Sequence, residues 1–215
     1  MLEYVQVIMP ALLKGAKLSL ELFALTLIIS LPLGLPVALG ENSRFAPIRW
    51  LCRFFVLVMR GTPLMLQLFF FYFFFPIVLK IRWDAFPTAV FTFALNYSAY
   101  FAEIYRGGIN GIGIGQYEAA YSLGFSRRQT MFKIILPQTL RTVIPPVANE
   151  VLVLIKDTAL ASAIGMADIM RVSKGIVNRD SRLVAYFIAA LMYLIFSLVM
   201  TVIINRIEKR AKISG

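Results

Sequence analysis

The chain has 215 residues, of which 60% are hydrophobic and 15% charged, and its mean hydropathy is +0.78. A soluble domain of that length carries more surface charge, and here the apolar residues are gathered into long runs, so the composition excludes an ordinary soluble domain. Lys and Arg total 22 against 11 acids, a formal charge of +11; because these charges sit between apolar runs, membrane orientation accounts for them more simply than a nucleic-acid partner does.

The N-terminal region is nearly neutral and leads into an apolar stretch, Leu18 to Ala38, interrupted only by Glu21. A signal peptide has a basic start and a shorter apolar region, so a retained spanning helix is the expectation, kinked near its end by Pro32 and Pro36. Cys52 follows, the single cysteine. It excludes an internal disulfide and reads as a small apolar filler. With no histidine in the chain, zinc sites and histidine acid–base chemistry are excluded as well. Neither a catalytic residue nor a cofactor or metal ligand is expected.

Further spans are predicted over Val56–Val78, Phe86–Tyr105 and Leu183–Ile204, each long enough for a hydrocarbon core of about 30 Å. Val143–Ile155 is shorter, carries Glu150 and meets Lys156 and Asp157 before apolar residues resume at Ala159. It reads as a span lined by protein and broken near its outer end. Five spans place the termini on opposite sides. The stretches 41–53, 106–141 and 206–215 hold 12 basic and 3 acidic residues, whereas 1–17, 80–85 and 157–182 hold 8 and 5. The bias favours the N-terminus outside and the C-terminus inside. A short surface helix is expected around Ala167–Lys174. The expectation is an all-α integral membrane protein, one domain over 1–215, without the internal repeat of an inverted-repeat secondary transporter.

The largest cytoplasmic insertion runs from Arg106 to Arg141 and opens with Gly107, Gly108, Gly111, Gly113 and Gly115. No GxxxxGK[ST] follows and no strand precedes, so these glycines are expected at tight turns where the chain leaves the bilayer, not around a phosphate. Gln116–Leu123 is predicted as a short helix stopped by Gly124. A second helix is predicted over Ser126–Leu136, N-capped by Ser126 and stopped at Pro137. Two short helices at a membrane surface serve either as inert packing or as the contact point for a motor.

These residues carry a family signature. Glu118-Ala119-Ala120, Gly124, Ile134 and Leu136-Pro137 resemble the EAA loop of permease subunits in bacterial binding-protein-dependent ABC importers. Arg60-Gly61-Thr62-Pro63 with Leu64, Gln67, Phe69, Tyr72 and Pro76 is similar to the polar amino acid branch, the histidine and glutamine permeases. Glu103-Ile104-Tyr105-Arg106-Gly107-Gly108, Gly115-Gln116-x-Glu118, Asn149-Glu150, Lys156-Asp157-Thr158 and Ile164-Gly165 match that branch as well. The chain departs from the pattern at 113–115, Gly-Ile-Gly where a proline often precedes Gly-Gln, and at Lys17, where threonine is usual.

The resemblance implies a type I ABC importer permease in the bacterial inner membrane, translocating a polar amino acid. Its partners would be a second permease copy or homologue, two ATPase subunits that bind the ATP and Mg2+, and an extracytoplasmic binding protein. It also implies that Gln116, Glu118, Ala119, Ala120, Gly124 and Pro137 form the contact with the ATPase. The leading alternative is an ion-coupled secondary amino acid transporter.

Charges within apolar spans are costly unless paired or facing a cavity. Arg60 reads as a snorkelling or bracing residue, and Glu21 as a partner of Lys17 at i,i+4. Glu103 pairs with Arg106 at i,i+3 or serves the translocation path. Glu150 and Asp157 lie two turns apart on one helix face, as bracing or as a gate. A zwitterion crossing the pore needs donors and acceptors, which Thr62, Gln67, Asn149 and Glu150 are placed to supply. The aromatic run Phe69–Pro76 reads as lipid-facing in preference to a cation cage.

Overall fold

The computed structural model describes residues 2–213, with side chains described for 3–210. Helix α1 runs from Leu2 to Glu41 without a break, although Pro10, Pro32 and Pro36 lie inside it. At 1.5 Å per residue its length is about 60 Å, twice the hydrocarbon thickness. The stretch before Leu18, expected outside the span, therefore continues the same helix. It packs Ile8 and Leu12 against Ile176, Ala185 and Ile188.

The single span expected over Val56–Val78 is instead two helices, α2 (Ala46–Gly61) and α3 (Leu64–Ile77), bent by 108°. Pro63 is the cause. It pushes Thr62 out of the helical region, to φ −119° and ψ 147°, and supplies no N–H to continue the ladder. Helix α4 (Ala85–Asn110) is the centre of the molecule, burying Phe93, Tyr97, Phe101 and Ala102 against α1, α2 and α3. A short α5 (Ile114–Ser122) and a one-turn α6 (Arg127–Gln129) follow. A π-helical stretch, Thr130–Ile135, then joins α7 (Leu136–Thr142).

Pro137 does not stop its helix as expected. The wider π turns, with the Leu136 N–H bonding the Met131 carbonyl, set the proline in the first turn of α7, where no N–H is needed. Helix α8 (Ile144–Asp157) gives way to a 3-10 stretch, Thr158–Ile164, that ends on Gly165 at φ 94°. The helix type thus changes directly after Asp157, within the segment expected to be broken.

Where a short surface helix is expected, a longer helix forms, α9 (Ile169–Asp180). Its N-cap Asp168 accepts from the backbone N–H groups of Met170 and Arg171. Burial pushes that carboxyl up to about 6. Helix α10 (Val184–Ile213) closes the described chain; beyond the buried Ala185, Ile188, Ala189 and Ile204, many of its apolar side chains, including Leu194, Leu198 and Val202, stay exposed. Helices α1 and α10 are long and apolar enough to cross a membrane.

Small residues set the closest helix crossings. A Cβ on Gly34 would lie 2.9 Å from Phe101 Cβ and 3.0 Å from the Ser98 carbonyl, so α1 meets α4 there with no room for a side chain. Gly34→Val is expected to destabilise the fold by about 2 kcal/mol through overpacking, read as a lower melting temperature. Gly108, expected at a turn, lies inside α4. It faces Val143 and Thr139, so close helix packing is its requirement. Cys52 sits over Gly40 as a filler between α2 and α1.

Candidate translocation cavity and coupling segment

The 108° break leaves the last carbonyls of α2 without helical partners, and side chains replace them. Thr62 Oγ1 donates to the Val58 carbonyl at 2.8 Å. The Met59 carbonyl accepts from Gln67 Nε2 and from Asn96 Nδ2, both at 2.9 Å. Gln67 Nε2 also reaches Thr62 Oγ1 at 2.8 Å, and its Oε1 accepts from Asn96 at 3.0 Å. Gln67 is thus buried as a staple of the break and lines neither of the two cavities beside it.

Against this break lie two cavities that share Arg60, Gly61 and Tyr100. The first, about 530 Å³, is bounded by Thr62, Pro63 and Leu64 at the break, by Asn96 and Tyr97 on α4, and by Glu150 and Asp157 on α8. Tyr97 Oη donates to Asp157 Oδ2 at 2.8 Å. Glu150 and Asp157 face one chamber, as their spacing predicted, and Thr62 joins them. Asn149 is exposed on α8 and lines neither cavity.

The second cavity, about 580 Å³, is lined by Glu41, Arg53, Arg60, Tyr100, Glu103 and Arg106, with Val56, Leu57 and Gly61. Arg106 donates to Glu103 through Nε at 3.1 Å and through Nη2 at 3.0 and 2.8 Å, so the i,i+3 pair exists. Arg60 Nη1 lies 3.5 Å from Glu103, and Arg106 Nε lies 3.9 Å from Glu41. Glu41 is 3% exposed, and its Oε2 has no hydrogen-bond partner. Glu21 pairs with Lys17 at 3.7 Å, away from both chambers.

Sequence reasoning missed Glu41, assigned to a loop, and the α4 residues Asn96 and Tyr100. The signal for the latter was readable. Asn96, Tyr100 and Glu103 recur at i, i+4 and i+7, a polar face on an apolar helix. The aromatic run lines neither cavity. Phe70 and Phe73 are exposed, and Phe71 and Phe75 pack with Phe91 and Trp83.

Much of the segment after α4 is exposed. Helix α5 ends in a Schellman motif, with Phe125 N–H bonding the Ala120 carbonyl and Gly124 N–H the Tyr121 carbonyl, both at 3.0 Å. Gly124 sits at φ 77°, as a helix stop requires. Ser126 and Gln129 then form a reciprocal capping box. Ala120 is buried against the π-helical stretch, while Gln116, Glu118, Ala119, Gly124 and Pro137 are exposed. Gln138 Nε2 donates to Gln116 Oε1 at 3.1 Å, tying α5 to α7. Ile114, Tyr121, Leu123 and Phe132 add bare apolar area around Glu118.

An all-α membrane fold with charged cavities at a broken helix is the architecture of a membrane transport subunit. Residues 30–213 match the model of the family described as binding-protein-dependent transport system inner membrane component. The chain is 39% identical to the L-cystine transport system permease protein TcyB of Bacillus subtilis, over 94% of this chain and 86% of that one. It is 37% identical to the glutamine transport system permease protein GlnP of Escherichia coli K12, over 95% and 94%. A crystal structure of an amino acid ABC transporter with histidines superposes with a TM-score of 0.89 at 34% identity, covering 97% of both chains. The chain belongs to this family. It is a multi-pass inner-membrane permease component of an ABC-type importer and not its ATPase.

Proposed function

We propose that this chain forms, with a second permease copy or a homologue, the pathway by which a polar amino acid enters the cytoplasm. The observation that carries this reading is the chamber at the α2–α3 break. It combines two carboxylates, one guanidinium and amide and hydroxyl groups within a membrane-spanning fold. Broken helices at membrane depth are tolerated where they line a cavity, and a zwitterion needs both signs of charge along its route. The relatives that transport L-cystine, arginine and glutamine support an amino acid as cargo.

In this reading the chain has five spans in a type I arrangement, N-terminus outside and C-terminus inside, with α2 and α3 forming one broken span. Thr62, Glu103, Glu150 and Asp157 line the path. Gln67 serves it indirectly by holding the break, and Asn149 contributes from the exposed side of α8. Gln116, Glu118, Ala119, Ala120, Gly124 and Pro137 form or support the seat on the ATPase, within the insertion 106–141. Two ATPase subunits bind ATP and Mg2+, and an extracytoplasmic binding protein delivers the cargo. The test is uptake of each amino acid into liposomes holding the permease, its ATPase and its binding protein. Uptake requiring internal ATP and the binding protein is expected. Uptake by the permease alone, driven by an ion gradient, would replace this reading with a secondary transporter.

A further inference from the structure

A further groove, about 340 Å³, lies between α1, α8 and α10 and shares no lining residue with the cavities at the break. Leu27 and Leu31 of α1, Val143 and Val147 at the start of α8, and Ile203 and Ile207 of α10 line it. Among the described residues its lining side chains are apolar apart from Tyr105, whose Oη donates to the Leu31 carbonyl at 3.3 Å. Such a lining offers a polar amino acid no partner and suits a hydrocarbon chain. Ile203 and Ile207 on its rim are 43% and 50% exposed, so the groove opens on the surface of the helix bundle, where a membrane places lipid.

The groove ends among cations. Leu140 and Ile207 line it, and their chain neighbours Arg141 and Arg206 are exposed, with Lys209 and Arg210 on the next turn of α10. Arg206 and Arg210, at i and i+4, share one side of that helix. Glu208 is the one acid of this turn, and at two positions from each arginine it lies off their side. Neither arginine has a salt bridge among the described residues. Membrane orientation accounts for these cations, but not for an apolar groove that ends beside them. We propose that the groove holds one phospholipid of the cytoplasmic leaflet, with an acyl chain between α1, α8 and α10 and an anionic headgroup against Arg206 and Arg210. Basic residues between helices at the cytoplasmic face suit such a headgroup, and a free phosphate would leave the hydrocarbon groove unfilled. The site rests on the C-terminus-inside arrangement of the reading above. It adjoins α7, the helix that Gln138 ties to α5.

The test is native mass spectrometry of the purified permease–ATPase complex, equilibrated with equal amounts of dioleoylphosphatidylglycerol and dioleoylphosphatidylcholine. Wild type is expected to retain one phosphatidylglycerol per permease copy, in about tenfold preference over phosphatidylcholine. Arg206→Gln combined with Arg210→Gln, both at exposed positions, is expected to lose that preference. Val147→Phe, which fills the groove, is expected to retain neither lipid in the assembled complex. Equal retention of the two lipids by wild type, or an unchanged preference in the arginine variant, would overturn the proposal. So would a disulfide-linked permease pair formed in membranes by Ile203→Cys in a Cys52→Ser background, because a second copy would then cover the groove. Retention is counted without cargo or hydrolysis. A failed lipid test therefore leaves the import reading standing, and failed uptake leaves the lipid site standing.

Discussion

Gly124→Leu is expected to uncouple ATP hydrolysis from uptake while leaving the membrane helices folded. The residue sits at φ 77° with open space where a side chain would go, so backbone conformation and not crowding is the obstacle. A leucine there costs about 1–2 kcal/mol. The Schellman bonds from Gly124 and Phe125 are what turn the chain from α5 into the Ser126 capping box, so the strain falls on the segment that presents Glu118 and Leu123. A penalty of that size on a two-state seat shifts its population by about tenfold. The measurement pairs ATPase activity stimulated by loaded binding protein with uptake in the same liposomes. Hydrolysis retained with uptake reduced about tenfold is the expected pattern. Normal uptake would remove the coupling role from this turn. Amino acid binding to the chamber should be unaffected, since α5 contributes no residue to it.

Gln67→Leu is the substitution expected to cost most in stability. Leucine fills similar space but removes the donors to the Met59 and Thr62 carbonyls and the acceptor of Asn96. These groups lie at the break, where neither helix supplies partners and lipid supplies none. Asn96 still donates to the Met59 carbonyl, but loss of the four bonds that Gln67 makes is expected to cost about 3 kcal/mol, read as a lower melting temperature of the complex. Because the staple also sets the 108° angle, amino acid binding should weaken in the same variant, although Gln67 lines neither cavity. Wild-type melting and binding would show that Pro63 alone holds the break.

These two cases mark what was legible in the sequence. Gly124 was readable as a helix stop because a residue without Cβ after a helical run has one common use. The capping residue Ser126 and the pair Glu103–Arg106 were readable because each depends on neighbours three positions away. Glu150 and Asp157 were readable as a shared face for the same reason. The composition and the long apolar runs determined an all-α membrane protein, and the motif residues of the loop determined its family.

The tertiary structure decided what depends on residues distant in the chain. Gln67 reads as a path residue in isolation, but the gap it fills exists only once Pro63 has bent the span and α4 has brought Asn96 alongside. Glu41 reads as a loop acid, yet α1 continues to carry it, buried, toward Arg106. Gly108 reads as a turn glycine, but the approach of Val143 and Thr139 makes it a packing glycine. Pro137 reads as a helix stop, and a π-helical stretch absorbs it. Local spacing determines helices, caps and i,i+4 partners, because those contacts close within a few residues. Which polar group faces a cavity, and which merely mends the backbone around it, is set by helices that meet across the fold.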